Sequence, residues 1–211
     1  MPEILKISSA RPDPERIAHA AHLIRAGKVI ATPTDTLYGL AADPFNLSAV
    51  DMIFRIKGRS SHKPVLLMVN SIEQAEEVAT DLPPLFYSLA RKFWPGPLTM
   101  IVPASRRIPR KIASEVGKVA VRFPNAGIPC ALMQELNFPL TGTSANLAGM
   151  EACVTAEQVQ KQIGDRIPLI IDGGITSAGA PSTMIDITAD GWKPVREGAI
   201  LMADIAEFLQ T

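Results

Sequence analysis

Short β-prone runs alternate with helix signals along most of this chain, and that alternation restricts its fold more than any other feature. Asp13-Pro14-Glu15 combines a helix N-cap, a proline in the first turn and an acid that suits the helix dipole. Val29–Thr32 is a β-prone run. Ser71 and Thr155 each precede a glutamine by three residues, which is the spacing of a capping box. The order of these signals predicts an α/β protein in which residues 1–211 form a single domain with a mixed sheet and flanking helices.

Apolar runs and turn residues predict the other elements. The continuous apolar run over 65–69 is typical of a strand that is buried on both faces. The hydroxyl-rich stretch 34–39 suits a turn at the end of a strand. Further helices are predicted from Ser48 to near Gly58, over 83–93 and over about 129–136, with further strands over 98–102, 119–123, 139–141, 169–171 and 184–187 and around Val195. No repeat or change of composition divides the chain.

Composition and motifs exclude several classes of protein. The charges balance, with 21 lysines and arginines against 21 aspartates and glutamates, so the overall charge indicates no polyanionic partner. Cys130 and Cys153 form no CxxC pair, which argues against a disulfide framework or a structural zinc and favours a reducing cytoplasm. The sequence contains no export signal and no run of about 18 apolar residues. It therefore predicts neither export nor insertion into a membrane. The common hydrolase, P-loop and dinucleotide-binding motifs are absent.

Two stretches of the chain concentrate positive charge. Four cations stand without an acid between positions 55 and 63, and five stand between 106 and 118 against Glu115 alone. Cations near the C-terminus of a helix offset its dipole, so both clusters could be solvated helix ends. Lysine and arginine also bind phosphate, so the clusters could instead form a phosphate-binding surface. The cations are Arg55, Lys57, Arg59 and Lys63 in the first stretch and Arg106, Arg107, Arg110, Lys111 and Lys118 in the second.

The segment Thr141–Asn146 follows a predicted strand and contains three hydroxyl groups, a carboxamide and small residues. Small residues let a ligand approach the backbone, and hydroxyl and amide groups can bind a phosphate or a sugar. The alternative interpretation is an ordinary polar turn. Composition alone does not decide between the two.

Six motifs in a fixed order carry a resemblance to one known family. They are Pro33-Thr34-Asp35-Thr36-Leu37-Tyr38-Gly39-Leu40, Lys57-Gly58-Arg59, Trp94-Pro95-Gly96-Pro97-Leu98-Thr99, Val121-Arg122-Phe123-Pro124, Thr143-Ser144-Ala145-Asn146 and Pro181-Ser182-Thr183-Met184-Ile185-Asp186. With these motifs the chain closely resembles the YrdC/TsaC family of threonylcarbamoyl-AMP synthases. The match extends from about residue 30 to about residue 200, which is nearly the whole chain.

The resemblance implies a YrdC-like fold, a twisted, mixed and open α/β sheet with flanking helices around a positively charged concave cavity. It also implies an enzyme, a nucleotidyltransferase that makes threonylcarbamoyl-AMP and pyrophosphate from L-threonine, bicarbonate and ATP. That product would supply the t6A modification of tRNA, with other proteins of the t6A pathway as partners and no membrane involved. Since carboxylated threonine attacks the α-phosphate itself, such an enzyme acts mainly by positioning two anions and neutralising charge.

The resemblance also implies roles for individual residues. Lys57 and Arg59 are the implied catalytic residues. The implied ATP-binding residues are Lys57, Arg59, Lys118, Ser144, Asn146 and Arg196, and the implied threonine-binding residues are Thr36, Arg122 and Ser182. Mg²⁺ would arrive with ATP and bridge its phosphates, without dedicated metal ligands in the protein.

The chain also departs from the family pattern. Many members have proline after the KxR arginine and histidine at the end of the next strand, where this chain has Ser60 and Met68. A threonine contact from that strand is therefore left open, and we expect the chain to lack the C-terminal domain of longer members. The same fold includes proteins linked to double-stranded RNA or to ribosomes, so the alternative function is an RNA-binding protein without synthase activity. The intact KxR and SxN motifs favour the synthase.

Overall fold

Strands and helices alternate in the computed structural model, which describes residues 1–58, 65–177, 179–188 and 191–210. The strands are β1 (Glu3–Lys6), β2 (Ile30–Pro33), β3 (Tyr38–Ala41), β4 (Leu67–Met68), β5 (Leu98–Pro103), β6 (Lys118–Arg122), β7 (Leu140–Thr141), β8 (Thr143–Ser144), β9 (Leu169–Asp172), β10 (Thr183–Thr188) and β11 (Gly191–Arg196). The helices are α1 (Pro14–Arg25), α2 (Leu47–Lys57), α3 (Ile72–Val78), α4 (Pro84–Phe93), α5 (Gly127–Leu136), α6 (Ala156–Ile163) and α7 (Met202–Phe208).

The strands form two sheets, and each sheet contains parallel and antiparallel pairs. Sheet 1 has the order β1-β9-β2-β3-β8, and sheet 2 has the order β11-β10-β5-β6-β4-β7. In sheet 1, β9 is parallel to both β1 and β2, whereas β3 is antiparallel to β2 and β8. The predicted mixed α/β architecture is therefore confirmed, although the strands divide between two sheets instead of forming one. The positive charge of the cavity stays a prediction.

Local capping signals placed most helix starts correctly. The Asp13 side chain accepts a hydrogen bond from the Arg16 N–H at 3.0 Å, and Ser71 caps α3 in the same way. Thr155 forms the complete capping box at the start of α6. The predicted start of α2 at Ser48 is wrong by one residue, because the Asn46 side chain accepts from two N–H groups of the first turn and so is the N-cap.

The structure also differs from the predictions at several strands. Of the apolar run 65–69, Leu67–Met68 pairs as a strand, between β6 and β7. Part of the stretch 34–39 belongs to β3, because the chain folds back onto β2 as a hairpin. β1 and α7 were not predicted, since β1 is a largely exposed edge strand and α7 buries Ile205 but little else among its described residues.

Sheet 1 is covered by helices on both faces. α1 and α5 pack on one face in a core that includes Ile30 and Ile171, while α2 and α6 pack on the other in a core that includes Ala31 and Ile170. Successive strand residues thus enter different cores, which explains why β2 and β9 show no alternation of polar and apolar residues. Sheet 2 packs against α3, α4 and α7. None of the helices in the described ranges combines the length and the apolar character needed to span a bilayer.

The two sheets are joined where β7 is followed by β8. The chain leaves sheet 2 at Thr141 and enters sheet 1 after the single residue Gly142. The fully buried Thr141 Oγ1 accepts from the Ala42 N–H at 2.9 Å and donates to Leu40 O at 3.1 Å. A Cβ atom on Gly142 would lie only 2.8 Å from the Met68 side chain. This junction therefore depends on a hydroxyl that bonds β3 and on a residue without a side chain.

We expect Thr141→Val to lower the free energy of unfolding by about 1–3 kcal/mol, because the Ala42 N–H loses its hydroxyl acceptor while the side chain keeps its shape. Urea denaturation followed by circular dichroism measures this change. The control is Thr80→Val at an exposed position, which should change the free energy by less than about 0.5 kcal/mol. Equal, small effects in both variants would show that the hydroxyl does not hold the junction.

Candidate functional site

A tight turn between β2 and β3 carries Asp35 and Thr36. The Thr34 Oγ1 atom accepts hydrogen bonds from the N–H groups of Thr36 at 3.1 Å and Leu37 at 3.2 Å, and it donates to Leu37 O at 2.7 Å. Hydroxyl side chains commonly stabilise turns in this way. The turn is thus fixed from within, and both Asp35 and Thr36 contact Arg122 at the end of β6.

The guanidinium of Arg122 is buried and hydrogen-bonded through all three nitrogen atoms. Nε donates to Gly96 O at 3.0 Å, Nη1 donates to Thr36 Oγ1 at 2.8 Å, and Nη2 donates to Asp35 Oδ1. A guanidinium has five N–H donors, and these bonds use three of them. One N–H on each terminal nitrogen has no acceptor among the described residues. Two such donors suit a carboxylate or a phosphate.

The electrostatic setting of Arg122 is that of a buried ion pair. The side chains of Arg122 and Asp35 are 5% and 12% exposed. Burial lowers the pKa of Arg122, the charge of Asp35 raises it, and the charge of Arg196 lowers it. The Oδ2 atom of Asp35 is also buried and has no hydrogen-bond partner within the described ranges. Because an unpaired buried charge costs several kcal/mol, Asp35 stabilises the guanidinium in this position.

A second arginine, Arg196 on β11, lies close enough to Arg122 for its charge to lower the pKa of Arg122. Its Nη2 donates to Ser182 O at 2.8 Å, and its Nε donates to the same oxygen at 3.3 Å. The buried Ser182 hydroxyl lies 2.7 Å from Thr99 Oγ1 and 3.3 Å from Arg196 Nη2. Burial lowers the pKa of Arg196. The site therefore contains two guanidinium groups and a serine hydroxyl that is oriented by a buried threonine.

The ammonium of Lys57 holds the loop that contains the SxN motif. Lys57 is 4% exposed, and its Nζ donates to Ser144 O, to Asn146 O at 3.1 Å and to Asn146 Oδ1 at 3.0 Å. Ser144 Oγ donates to Asn146 Oδ1 at 2.7 Å, and Asn146 Nδ2 donates to Met150 O at 2.6 Å. The KxR and SxN motifs are thus in direct contact. Charge-assisted hydrogen bonds from a single lysine fix the loop.

Sheet 1 brings these two groups of residues close together. Ser144 on β8 pairs with Gly39 on β3. β3 begins two residues after Thr36. The loop held by Lys57 is therefore a neighbour of the turn that contacts Arg122.

Lys118 is not brought to this region. It begins β6 whereas Arg122 ends it, so at about 3.3 Å per residue their Cα atoms lie roughly 13 Å apart. The Lys118 ammonium forms an ion pair with Asp186 Oδ1 at 2.6 Å. Its role in ATP binding stays a prediction, and ATP would have to compete with Asp186 for this ammonium.

The remaining residues that the sequence singled out are Arg59, Met68 and the two cysteines. Arg59 lies outside the described residues, so its contact with ATP stays a prediction. Met68, which stands where many family members have histidine, is buried in the core beneath α1 and α5. Cys130 and Cys153 are free, and burial raises the pKa of both thiols, that of Cys153 to about 11. In the described part of the chain, no three or more His, Cys, Asp or Glu side chains are grouped to hold a metal ion.

Sequence reasoning did not assign a role to Asp35 or Thr99, although both lie within the motifs that carry the resemblance. A signal for Asp35 was available, because an arginine expected in a binding cavity needs an acid nearby and Asp35 is the acid of the turn motif. Thr99 had no comparable signal. Its contact with Ser182 depends on the pairing of β5 with β10, which are far apart in the sequence.

We expect Asp35→Ala to lower the free energy of unfolding by about 3–5 kcal/mol, because it leaves the charge of Arg122 buried and unpaired. The matched control is Asp51→Ala. Asp51 Oδ1 also forms a direct ion pair, with Lys111 Nζ at 2.6 Å, but that pair is exposed. That variant should lose less than about 1 kcal/mol. Urea denaturation of both proteins measures the difference, and equal losses would contradict a special role for the buried pair.

Comparisons with known proteins relate this site and fold to one family. The Sua5/YciO/YrdC family profile, which carries the description "Telomere recombination", matches residues 22–198. A threonylcarbamoyl-AMP synthase of Pyrococcus abyssi (strain GE5 / Orsay) is 39% identical over 196 residues, covering 92% of this chain and 57% of that protein. The chain therefore spans a little over half the length of this curated relative.

Two solved structures resemble the whole fold. P. abyssi Sua5 complexed with L-threonine has a TM-score of 0.94 at 36% identity, covering 98% of this chain and 61% of that one. E. coli YciO has a TM-score of 0.86 at 28% identity, covering 94% of this chain and 96% of that one. With the family profile matched over most of its length and relatives at these identities, the chain belongs to the Sua5/YciO/YrdC family.

Proposed function

We propose that this protein is an L-threonylcarbamoyladenylate synthase, which makes threonylcarbamoyl-AMP and pyrophosphate from L-threonine, bicarbonate and ATP. The observation that carries the proposal is the pairing of two neighbouring groups, the Arg122 guanidinium with its two remaining N–H donors and the SxN loop held by Lys57. A synthase of this kind must hold two anionic substrates side by side. The P. abyssi relative is named a threonylcarbamoyl-AMP synthase, and a solved P. abyssi Sua5 contains L-threonine, which supports this assignment.

The proposed chemistry proceeds in two balanced steps. The neutral amine of threonine and bicarbonate form a carbamate, and one water molecule leaves. A carbamate oxygen then attacks the α-phosphorus of ATP, and the bond from that phosphorus to the bridging oxygen breaks to release pyrophosphate. Neither step needs a covalent nucleophile from the protein, so catalysis comes from positioning and electrostatics. The nucleotide enters as MgATP, in which Mg²⁺ bridges the phosphates.

The threonine subsite in this proposal is formed around Arg122. The threonine carboxylate accepts hydrogen bonds from the two remaining N–H groups, in the two-pronged arrangement that arginine favours. The hydroxyl groups of Thr36 and Ser182 bind the amine and the side-chain hydroxyl of threonine. Thr99 keeps the Ser182 hydroxyl in place through their 2.7 Å contact.

The nucleotide subsite in this proposal includes the SxN loop. Ser144 and Asn146 bind ATP, and Lys57 acts on it by fixing this loop and by its positive charge. Arg196 neutralises phosphate charge. Its Nη1 has no partner among the described residues and so is left to donate to a phosphate oxygen. Arg59 acts with Lys57 on the departing pyrophosphate. Lys118 would contact a more distant part of ATP, by exchanging Asp186 for the nucleotide.

A second candidate function is RNA binding without synthase activity. The observation in its favour is that Arg106, Arg107 and Arg110 are exposed and form no ion pair within the described ranges. The intact SxN loop and its contact with Lys57 favour the synthase, since a module that only contacts RNA phosphates does not need them. As a synthase, the protein would act in the cytoplasm, where tRNA and other t6A-pathway proteins are its expected partners.

Pyrophosphate release tests the proposed function. The purified chain should release pyrophosphate only when L-threonine, bicarbonate and MgATP are all present, and mass spectrometry should detect threonylcarbamoyl-AMP. Omission of each component in turn should stop the release. Release that does not depend on threonine would contradict the proposal, and tight RNA binding without any release would favour the second candidate.

We expect Ser182→Ala to raise the KM for threonine roughly three- to tenfold, because one neutral hydrogen bond to the substrate is lost. The KM for ATP should stay unchanged. Ser88→Ala is the control, since the Ser88 hydroxyl bonds to Pro84 O within α4. An increase confined to the KM for ATP would assign Ser182 to the nucleotide subsite instead.

A further inference from the structure

The loop that carries the SxN motif is closed by a side chain that belongs to none of the six motifs. Gln162 lies on α6 and is half-buried. Its Oε1 accepts a hydrogen bond from the Leu147 N–H at 3.2 Å, and its Nε2 donates to Glu151 O at 2.9 Å. Leu147 directly follows Asn146 in the chain. One amide side chain therefore joins the first and last residues of the segment 147–151.

This segment determines the orientation of the Asn146 side chain. Asn146 Nδ2 donates to Met150 O at 2.6 Å, inside the segment. Asn146 Oδ1 accepts from Lys57 Nζ at 3.0 Å and from Ser144 Oγ at 2.7 Å. A side-chain amide has two N–H donors, and the second one on Nδ2 has no acceptor among the described residues. The position of Met150 O thus sets the direction of the N–H group that is left for a nucleotide.

The chain just after α6 also contacts the last turn of α2, which carries Lys57. Arg166, four residues after Gln162, donates from Nη1 to Ile56 O at 2.9 Å. The Lys57 carbonyl accepts from the Ala148 N–H at 2.9 Å, inside the segment that Gln162 closes. The last carbonyl groups of a helix have no intrahelical partner, so these bonds fix the end of α2. The helix and the loop that carry the KxR and SxN motifs are therefore both attached to the end of α6.

We infer that Gln162 is a positioning residue for the nucleotide, an inference that rests on the proposed synthase function. Gln162 acts through Asn146, because its two bonds keep the segment 147–151 in one arrangement. Glu151 is exposed and Gln162 is half-buried, so water can replace both bonds at little cost to the fold. The segment would then lose its single geometry, and a hydrogen bond to a ligand weakens steeply as its angle changes. Loss of Gln162 should thus weaken ATP binding without unfolding the protein.

The test is Gln162→Met, which removes both hydrogen bonds but keeps a side chain of similar length and helix propensity. We expect the Kd for MgATP, measured by isothermal titration calorimetry, to rise about three- to tenfold, because the loss corresponds to roughly one neutral hydrogen bond. The KM for ATP should also rise, with the KM for threonine and the urea midpoint unchanged. Gln160→Met is the matched control, because Gln160 is exposed on the same helix and its side chain forms no hydrogen bond within the described ranges.

Amide hydrogen exchange tests the closure of the segment without any substrate. The Leu147 N–H should exchange faster in Gln162→Met than in the wild-type protein, because it loses its acceptor. In Gln160→Met it should exchange at the wild-type rate. An unchanged exchange rate in Gln162→Met would show that Gln162 does not close the segment and would overturn the inference.

The binding results separate this inference from the proposed function. An unchanged Kd for MgATP in Gln162→Met would overturn the inference. An equal loss of affinity for ATP and threonine with a lower urea midpoint would also overturn it, because a residue that only stabilises the fold gives that pattern. If the wild-type protein binds MgATP more tightly than Gln162→Met but releases no pyrophosphate, the synthase is overturned and the positioning role is retained. Wild-type protein that binds no MgATP would overturn both.

Discussion

The burial of a positive charge at the end of β6 is the constraint on which the other features of this structure depend. Water solvates a guanidinium so strongly that a buried one needs several partners. The fold supplies them from different places, a carboxylate and a hydroxyl from the turn in sheet 1 and a carbonyl from Gly96 ahead of β5. Arg122 itself belongs to sheet 2. The ion pair with Asp35 thus connects the two sheets at the proposed substrate site, so stability and recognition depend on the same atoms.

Local sequence signals predicted the helices well, because a cap involves only neighbouring residues. Asp13, Ser71 and Thr155 begin their helices as their spacing indicates. The division into two sheets could not be predicted in this way, since it depends on which distant strands pair. The run 65–69 is an example. All five residues are apolar because this segment is buried on both faces, so the pattern does not show that only Leu67–Met68 pairs as a strand.

The candidate site could be predicted in part. The resemblance brought the KxR and SxN motifs together before any contact was known, and Lys57 joins them in the structure. It could not indicate that Lys118 has Asp186 as a close partner, or that Asp35 is the buried partner of Arg122. Those facts depend on side chains 68 and 87 residues apart in the sequence. Spacing along a chain carries little information at such separations.

The crossing from sheet 2 to sheet 1 makes the length of one connection as important as the identity of its residues. Gly142 is the only residue between β7 and β8. Side chains alternate between the two faces of a strand, so an added or deleted residue at this point would reverse the direction of Ser144 relative to the partner strand. The SxN loop would then present different atoms to Lys57. Homologues that vary freely in their surface loops should therefore keep this connection free of insertions and deletions.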